Sequence, residues 1–516
     1  MMRPIPSRPA GASRRPRGAP IIAAVFALAA SGCVVGPNFV PPKAPPTTRY
    51  IAPGETPLAA ADAGPAAPKQ AVALGDKVTG DWWTLFRSPD LDQLVKQAVA
   101  GSRTLESAKA RLAAARELVT AARGALYPQV GFDASFAEEK ESASAFGLRS
   151  NAFPLPPSFN LFQLGPTVSY SPDLFGGTHR RIEQQSALAD YQGDQLDAAY
   201  LTLTGDTVSQ AIQIAAVRAQ LKAVDDILEI DRQDLDLVRK ERQAGTVPDS
   251  DVVVSESQLA ADETLPPGLE QQLSMAKHAL AVLIGQAPGD WSPPDFELTA
   301  LTLPGQLPVS LPSELVHQRP DILAAEAQLH AASAQIGIAT AQLYPNITLS
   351  AGVSASSLNG GALFSPAGLV WSVAAGLSQP IFDGGMRQAE RRAALADFRA
   401  SAADYQQTVL QSFGQVADIL QALTHDADLL AAQQHALDTA AESVRLQRIN
   451  YVEGGAGLLN LLDAQRQYQR ASLGYVQAQA QRYQDTVQLL VAMGGGWWDA
   501  NLAETADASQ PAVVRR

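Results

Sequence analysis

The chain has 516 residues, 46% hydrophobic and 18% charged, with a formal net charge of −13 and a single cysteine. A body this acidic cannot neutralise phosphates, which excludes nucleic acid as a partner, and one cysteine excludes an internal disulfide framework. Residues 1–32 carry five arginines and no acid, so the remainder is more acidic still.

At the N-terminus, Arg3, Arg8, Arg14, Arg15 and Arg17 precede an apolar run from Ile21 to Ala30. That run is too short to span a bilayer and suits the central region of a secretory signal. Ala30-Ser31-Gly32-Cys33 then resembles a lipobox, in which a signal peptidase cuts before the cysteine and the thiol is acylated; alanine stands where leucine is usual. A conventional signal with an incidental cysteine is the alternative. Val34, not aspartate, follows Cys33, the pattern that sends Gram-negative lipoproteins to the outer membrane. Residues 1–32 therefore read as a lipoprotein signal peptide. Residues 33–80, with Pro37, Pro41, Pro42, Pro45 and Pro46, read as a lipidated tether.

Folding resumes at Asp81-Trp82-Trp83-Thr84-Leu85-Phe86, and Ser88-Pro89-Asp90 is a helix start. Leu91, Leu94, Val95 and Ala98 open an amphipathic pattern that predicts a helix to about Ala125. The period then becomes two: Val130, Phe132, Ala134 and Phe136 alternate with Gly131, Asp133 and Ser135, and Leu164, Val168 and Tyr170 follow the same rule. After Gly176-Gly177 no proline occurs until Pro248, which predicts a helix of about 65 residues from Thr178 to Arg242, on the order of 100 Å long. It turns at Ala244-Gly245-Thr246-Val247-Pro248 and returns from Ser250 to about Ile284, with a break at Pro266-Pro267-Gly268.

The second half repeats the first. Leu126-Tyr127-Pro128 returns as Leu343-Tyr344-Pro345, Gly176-Gly177 as Gly384-Gly385, and the turn at Gly245 as one at Gly454, at offsets of about 207 to 217 residues. Ile347, Leu349, Ala351, Val353 and then Trp371, Val373, Ala375, Leu377 supply a second strand pair. From Ile381 to Gln510 there is no proline, and the one strong interruption is Glu453-Gly454-Gly455-Ala456-Gly457. Each half thus reads as a helix of about 35 residues, two strands, a helix of about 65, a tight turn and a return helix of about 35. The repeats are placed at 81–300 and 301–500, with a disordered tail at 501–516. The simplest packing is a long helical wall with the strands gathered away from the glycine turns.

Strands that alternate apolar with small polar residues fit a membrane barrel and, equally, a soluble sheet with one wet face. Four strands cannot close a barrel, and lipid tolerates no open edge, so a membrane barrel would have to be shared between chains; three chains giving twelve strands is the economical number.

The chain resembles the TolC-like outer-membrane factors, in particular their lipoprotein efflux branch. The matching stretches are Cys33-Val34-Val35-Gly36-Pro37-Asn38, Asp81-Trp82-Trp83-Thr84-Leu85-Phe86, Pro172-Asp173-Leu174-Phe175-Gly176, Arg319-Pro320-Asp321-Ile322, Leu461-Leu462-Asp463-Ala464-Gln465-Arg466 and Met493-Gly494-Gly495-Gly496-Trp497. The resemblance implies a mainly α fold with a membrane β-barrel part: a homotrimer with one shared twelve-stranded barrel, a periplasmic α-helical tunnel, and a collar near Trp83, Trp291 and Trp497. It implies a passive exit duct in the outer-membrane lipid. The duct would join a periplasmic adaptor (a membrane fusion protein) and an inner-membrane pump of the resistance–nodulation–division type.

The same resemblance places a periplasmic gate at Leu459, Asp463 and Arg466. Three copies of Leu459 would form an apolar collar and Asp463 with Arg466 a charged one; spaced by three, these two can also pair. A solvated surface pair of little consequence is the alternative. Tyr451 and Asp251, at equivalent depth from their turns, are candidates for a latch between the hairpin tips. Gly245, Thr246, Val247 and Gly454, Gly455, Ala456 are the expected adaptor contacts, although glycine there is equally a helix C-cap.

No catalytic, metal or cofactor motif is found. Gly494-Gly495-Gly496 is followed by Trp497 rather than lysine, so it is no phosphate loop, and neither a His-Glu-x-x-His nor a Gly-x-Ser-x-Gly pattern occurs. A periplasmic adaptor would have one hairpin and a lipoyl-like module, which the duplicated array contradicts. A structural coiled-coil lipoprotein would have no use for four alternating strands. The duct of a type I protein secretion system remains the rival within the family, and the lipobox favours solute efflux over it.

Overall fold

The computed structural model describes residues 34–52, 70–140 and 158–497. The signal peptide, Cys33, the middle of the tether and the C-terminal tail lie outside the described residues. The chain divides into two compact units. The first contains the described residues of 34–40, Glu117–Ser186 and His330–Arg399; the second contains those of Pro41–Arg116, Ala187–Leu329 and 400–497.

In chain order the elements are β1 (Ala71–Leu74), α1 (Pro89–Gly101), α2 (Arg103–Gly124), β2 (Gln129–Glu139), β3 (Phe159–Tyr170), α3 (Gly177–Gln243), α4 (Asp249–Asp262), α5 (Leu265–Leu283) and β4 (Gln306–Val309). They continue as α6 (Pro312–Leu315), α7 (Pro320–Ala341), β5 (Asn346–Ser357), β6 (Leu369–Ser378), α8 (Met386–Val452) and α9 (Leu458–Ala492). Helices α3 and α8 have 67 residues each, so each runs for roughly 100 Å. The two long helices begin alike. Asp173 accepts from the His179 amide at 2.8 Å, and Asp383 accepts from the Gly385 amide at 2.9 Å and the Arg387 amide at 3.3 Å.

Three boundaries differ from the sequence expectation. The helix expected from Ser88 to about Ala125 is two helices, because Ser102 is extended and its hydroxyl accepts from the Leu105 amide at 3.4 Å. The break fits a close backbone crossing: a Cβ on Gly101 would come within 2.3 Å of the Ile284 carbonyl oxygen. The return helix of the first hairpin breaks at Glu263–Thr264 rather than at Pro266-Pro267, since proline is tolerated in the first turn of α5. In the second half the helix before the strands is the 22-residue α7 alone, restarted at Arg319-Pro320 after the single turn α6.

In the first unit, β2, β3, β5 and β6 form a four-stranded antiparallel sheet in that order, with β3 and β5 joining the two halves of the chain. The register puts every apolar residue of the alternation on one face: Phe136 opposite Phe162, Val130 opposite Val168, Val168 opposite Ala351, and Ala351 opposite Val373. That face is open. Val130, Phe132, Trp371 and Val373 are 72%, 68%, 73% and 75% exposed. The other face carries Asp133, Thr167, Ser354 and Gln163, with Thr167 donating to Asp133 at 2.8 Å and Gln163 to Ser354 at 3.3 Å.

The second unit is built on a large core that takes in Trp82, Trp83, Phe86, Leu94, Ile212, Leu307, Val416 and Leu490, with Trp291 and Trp497 packed against it. Its unanticipated element is the parallel pair β1–β4, in which Ala71 faces Gln306. Folded contacts of this unit therefore begin well before Asp81: Gln70 is buried, and Tyr50 packs against the same core and donates to the Ser310 carbonyl at 2.8 Å. The fully buried Arg482 donates to the Gln70 side-chain oxygen at 2.9 Å, and Gln70 donates to Thr486 at 3.1 Å.

Candidate functional site at the hairpin turns

Both turns of the second unit close in the same way. Gly245 (φ +78°) follows α3, with its amide on the Arg242 carbonyl at 3.0 Å and the Thr246 amide on the Glu241 carbonyl at 3.0 Å. Gly454 (φ +75°) follows α8, with its amide on the Tyr451 carbonyl at 3.0 Å and the Gly455 amide on the Asn450 carbonyl at 2.7 Å. Each pair of bonds is a Schellman motif, in which glycine supplies the left-handed residue. A Cβ on either glycine would meet nothing within 4 Å, so conformation and not space selects the residue.

Under the turns lies a small apolar cluster of Val238, Tyr451, Leu458, Leu461 and Leu462, with Leu237, Val247 and Val252 against it. Val247 is thus committed to this cluster, whereas Gly245, Thr246, Gly454 and Gly455 are exposed and Ala456 is half-buried. Burial of this face of α9 leaves the opposite face open. Leu459 is 66% exposed, and Asp463 and Arg466, four and seven residues further on, share its side of the helix. Asp463 and Arg466 do not pair within the chain: Asp463 accepts from Gln467 at 2.8 Å, and Arg466 donates to the Leu462 carbonyl at 3.3 Å.

Tyr451 does reach across to the first hairpin, but not to Asp251. Its hydroxyl donates to the Glu241 carboxylate at 2.6 Å, while Asp251 accepts from the neighbouring Ser250 hydroxyl at 3.3 Å. Burial and the Glu241 carboxylate hold the Tyr451 hydroxyl well above the usual tyrosine range, so it remains a donor at neutral pH.

The sequence reading missed a buried polar layer just above this cluster. Asp234 of α3 pairs with Arg448 of α8 at 2.9 Å and accepts from Gln465 of α9. Nearby, Asp231 of α3 and Asp262 of α4 are each only 6% exposed and share a hydrogen bond, while Asp262 accepts from Gln258 at 2.8 Å and from Gln469 of α9 at 2.7 Å. Burial first, and then Asp262 and Asp234, push the Asp231 carboxyl far above the ordinary carboxylate range. The layer ties α3, α4, α8 and α9 together. Its sequence signal is Asp231 and Asp234 standing on the same apolar seam as Ile227, Leu228, Leu235 and Val238. Beside it a groove of about 640 Å³, lined by Ile230, Val444, Arg445, Arg448, Ile449 and Val452, opens between α3 and α8.

Among the described residues no group of three or more His, Cys, Asp or Glu side chains could hold a metal ion, and no helix is long and apolar enough to cross a membrane.

The family model described as outer membrane efflux protein matches residues 94–286 and 311–495. The pyoverdine export outer membrane protein OpmQ of Pseudomonas aeruginosa is 31% identical over 451 residues, covering 86% of this chain and 94% of the relative. Nodulation protein T of Rhizobium leguminosarum bv. viciae is 28% identical over 506 residues, covering 96% and 97%. Among solved structures, the outer-membrane channel OprN matches with a TM-score of 0.78 at 30% identity, over 90% of this chain and 100% of that one. The CmeC outer membrane channel of Campylobacter jejuni shares the fold, with a TM-score of 0.81 at 18% identity. With its two matched segments spanning most of both halves, the chain belongs to the outer membrane efflux protein family.

Proposed function

We propose that this protein is the outer-membrane exit duct of a tripartite efflux system, passing small molecules from an inner-membrane pump and a periplasmic adaptor to the exterior. The observation that carries the reading is the sheet of the first unit. A soluble sheet would cover its apolar face, yet here Val130, Phe132, Trp371 and Val373 are exposed, and among the described residues β2 and β6 each have one hydrogen-bonded neighbour. An apolar face beside two open edges is stable in lipid only when further strands close the ring. Three copies supply about twelve strands, enough for a membrane barrel. Acylated Cys33 adds a second hold on the same membrane.

In that trimer Leu459, Asp463 and Arg466 face the axis as the periplasmic gate, their side of α9 being the one the tip cluster leaves uncovered. The Gly245–Thr246 and Gly454–Ala456 turns are the adaptor contacts, and the pump is of the resistance–nodulation–division type. OpmQ, whose name gives pyoverdine export, supports small-molecule cargo.

Paired cysteines test the closure. Phe132→Cys on β2, combined in turn with Leu369→Cys, Val373→Cys or Leu377→Cys on the same face of β6, should give an oxidation ladder in membranes that ends at three copies. A ladder that runs past three, or no cross-link at any register, would contradict the shared barrel.

A further inference from the structure

The first described residues, Val34–Phe39, are held within the first unit by contacts from both halves of the chain. Arg180 of α3, 3% exposed, sends Nε to the Val35 carbonyl at 3.1 Å and Nη2 to the Gly36 carbonyl at 3.2 Å and the Asn38 side-chain oxygen at 2.9 Å. Its Nη1 donates to Glu183 at 2.7 Å, which fixes the fork, and the other Glu183 oxygen accepts from Nε2 of His330 of α7 at 3.1 Å. His330 stacks on Phe39 with ring centroids 4.3 Å apart and planes 12° from parallel. The Val35 amide donates to the Phe175 carbonyl at 3.1 Å.

Backbone shape completes the fit. Gly36 has φ +93°, and a Cβ there would come within 2.5 Å of the Gly337 Cα; a Cβ on Gly337 would in turn strike the Arg180 side chain at 2.6 Å. The two glycines therefore let the segment and the guanidinium meet in one plane of contact. A buried guanidinium with four acceptors, three of them on one short extended segment, is a recognition site for that segment and not a surface ion pair.

We propose that Arg180, oriented by Glu183 and flanked by His330 and Gly337, is a seat for the mature N-terminal segment, and that it fixes where the lipid on Cys33 enters the membrane. The proposal rests on the reading that Cys33 is acylated. In sequence, Cys33 is joined directly to the seated Val34. Once Val34 and Val35 are pinned, the acyl chains start from one place beside the β3–α3 junction, and free tether can begin only beyond Phe39. The seat also joins α3 of the first half to α7 of the second, so occupying it staples the halves of this unit together.

The test is residue-resolved hydrogen exchange on the full chain purified from membranes, with the mass of the N-terminal peptide reporting acylation separately. The Val35 amide should be protected, and Arg180→Ala should abolish that protection. Arg180→Lys should lose most of it, since an ammonium cannot reach both carbonyls and Asn38 from one position. Should Arg180→Ala fail to fold, Gly36→Val attacks the segment from its own side, and should free Val35 while β3 and β5 keep their protection. Acylated wild-type protein whose Val35 exchanges freely would overturn the seat, as would unchanged protection in folded Gly36→Val. A peptide without acyl mass but with Val35 protected would keep the seat and overturn the lipid reading alone.

Discussion

Replacing Tyr451 with phenylalanine tests whether the two hairpins are latched by the bond the structure contains. The ring stays in the tip cluster, so only the hydroxyl and its 2.6 Å bond to Glu241 are lost. A hydrogen bond to a charged group contributes about 1.5–3 kcal/mol. Glu241 is half-buried, so water can take over part of the vacated bond, and the low end, about 1.5 kcal/mol, applies. That corresponds to roughly a tenfold shift in the ratio of closed to open tips. Exchange of the amides at Val252 and Leu462 should accelerate by about that factor, and resting conductance in a planar bilayer should rise. Asp251→Asn, which leaves the bond intact, should do neither. Unchanged exchange and conductance in Tyr451→Phe would refute the latch, and an equal effect of Asp251→Asn would return the role to that residue.

The buried pair Asp231–Asp262 predicts a pH dependence. Because burial holds Asp231 protonated in the fold while the unfolded chain ionises near 3.8, stability is greatest below that value and falls as pH rises through the raised native value, then levels. The charged groups that face Asp231 are its partner Asp262, Asp234 and Arg232. Thermal unfolding of Asp231→Asn should therefore lose part of the decline seen in the parent between pH 5 and 9, and a steeper decline in the variant would contradict this. Gly454→Ala places a side chain at φ +75° with open space around it, so it should cost about 1–2 kcal/mol through backbone strain alone. A calorimetric scan showing no loss would mean the turn relaxes to another geometry.

What the sequence made legible was whatever repeats at a fixed period. The 67-residue helices follow from proline-free runs bounded by Gly176-Gly177 and Gly384-Gly385, and the strands from strict alternation at Val130–Phe136 and Ile347–Val353. Contacts between distant segments left no such trace. Strand β1 has four residues inside a proline- and alanine-rich stretch, and its partner β4 lies far along the chain. Gly101-Ser102 is a local stop and cap signal, but the crossing of Gly101 on the Ile284 carbonyl that it accompanies is long-range. At the tip, periodicity places Tyr451 toward the first hairpin, but Glu241 and Asp251 stand on opposite sides of one turn, and only the packing of Tyr451 on Val238 and Leu461 decides between them. Asp231 and Asp234 were readable as acids on an apolar seam, whereas their partners Gln465, Gln469 and Arg448 come from helices whose register the sequence does not fix.

The central claim is a duct closed at its helical tips, and single-channel conductance of the detergent-extracted protein in a planar bilayer tests it most directly. Wild type should show a small resting conductance, and Asp463→Ala with Arg466→Ala should raise it clearly, because these exposed side chains of α9 would no longer narrow the axis. Folded protein that conducts in neither form would contradict the duct, and conduction that the double substitution leaves unchanged would contradict the gate at Asp463 and Arg466.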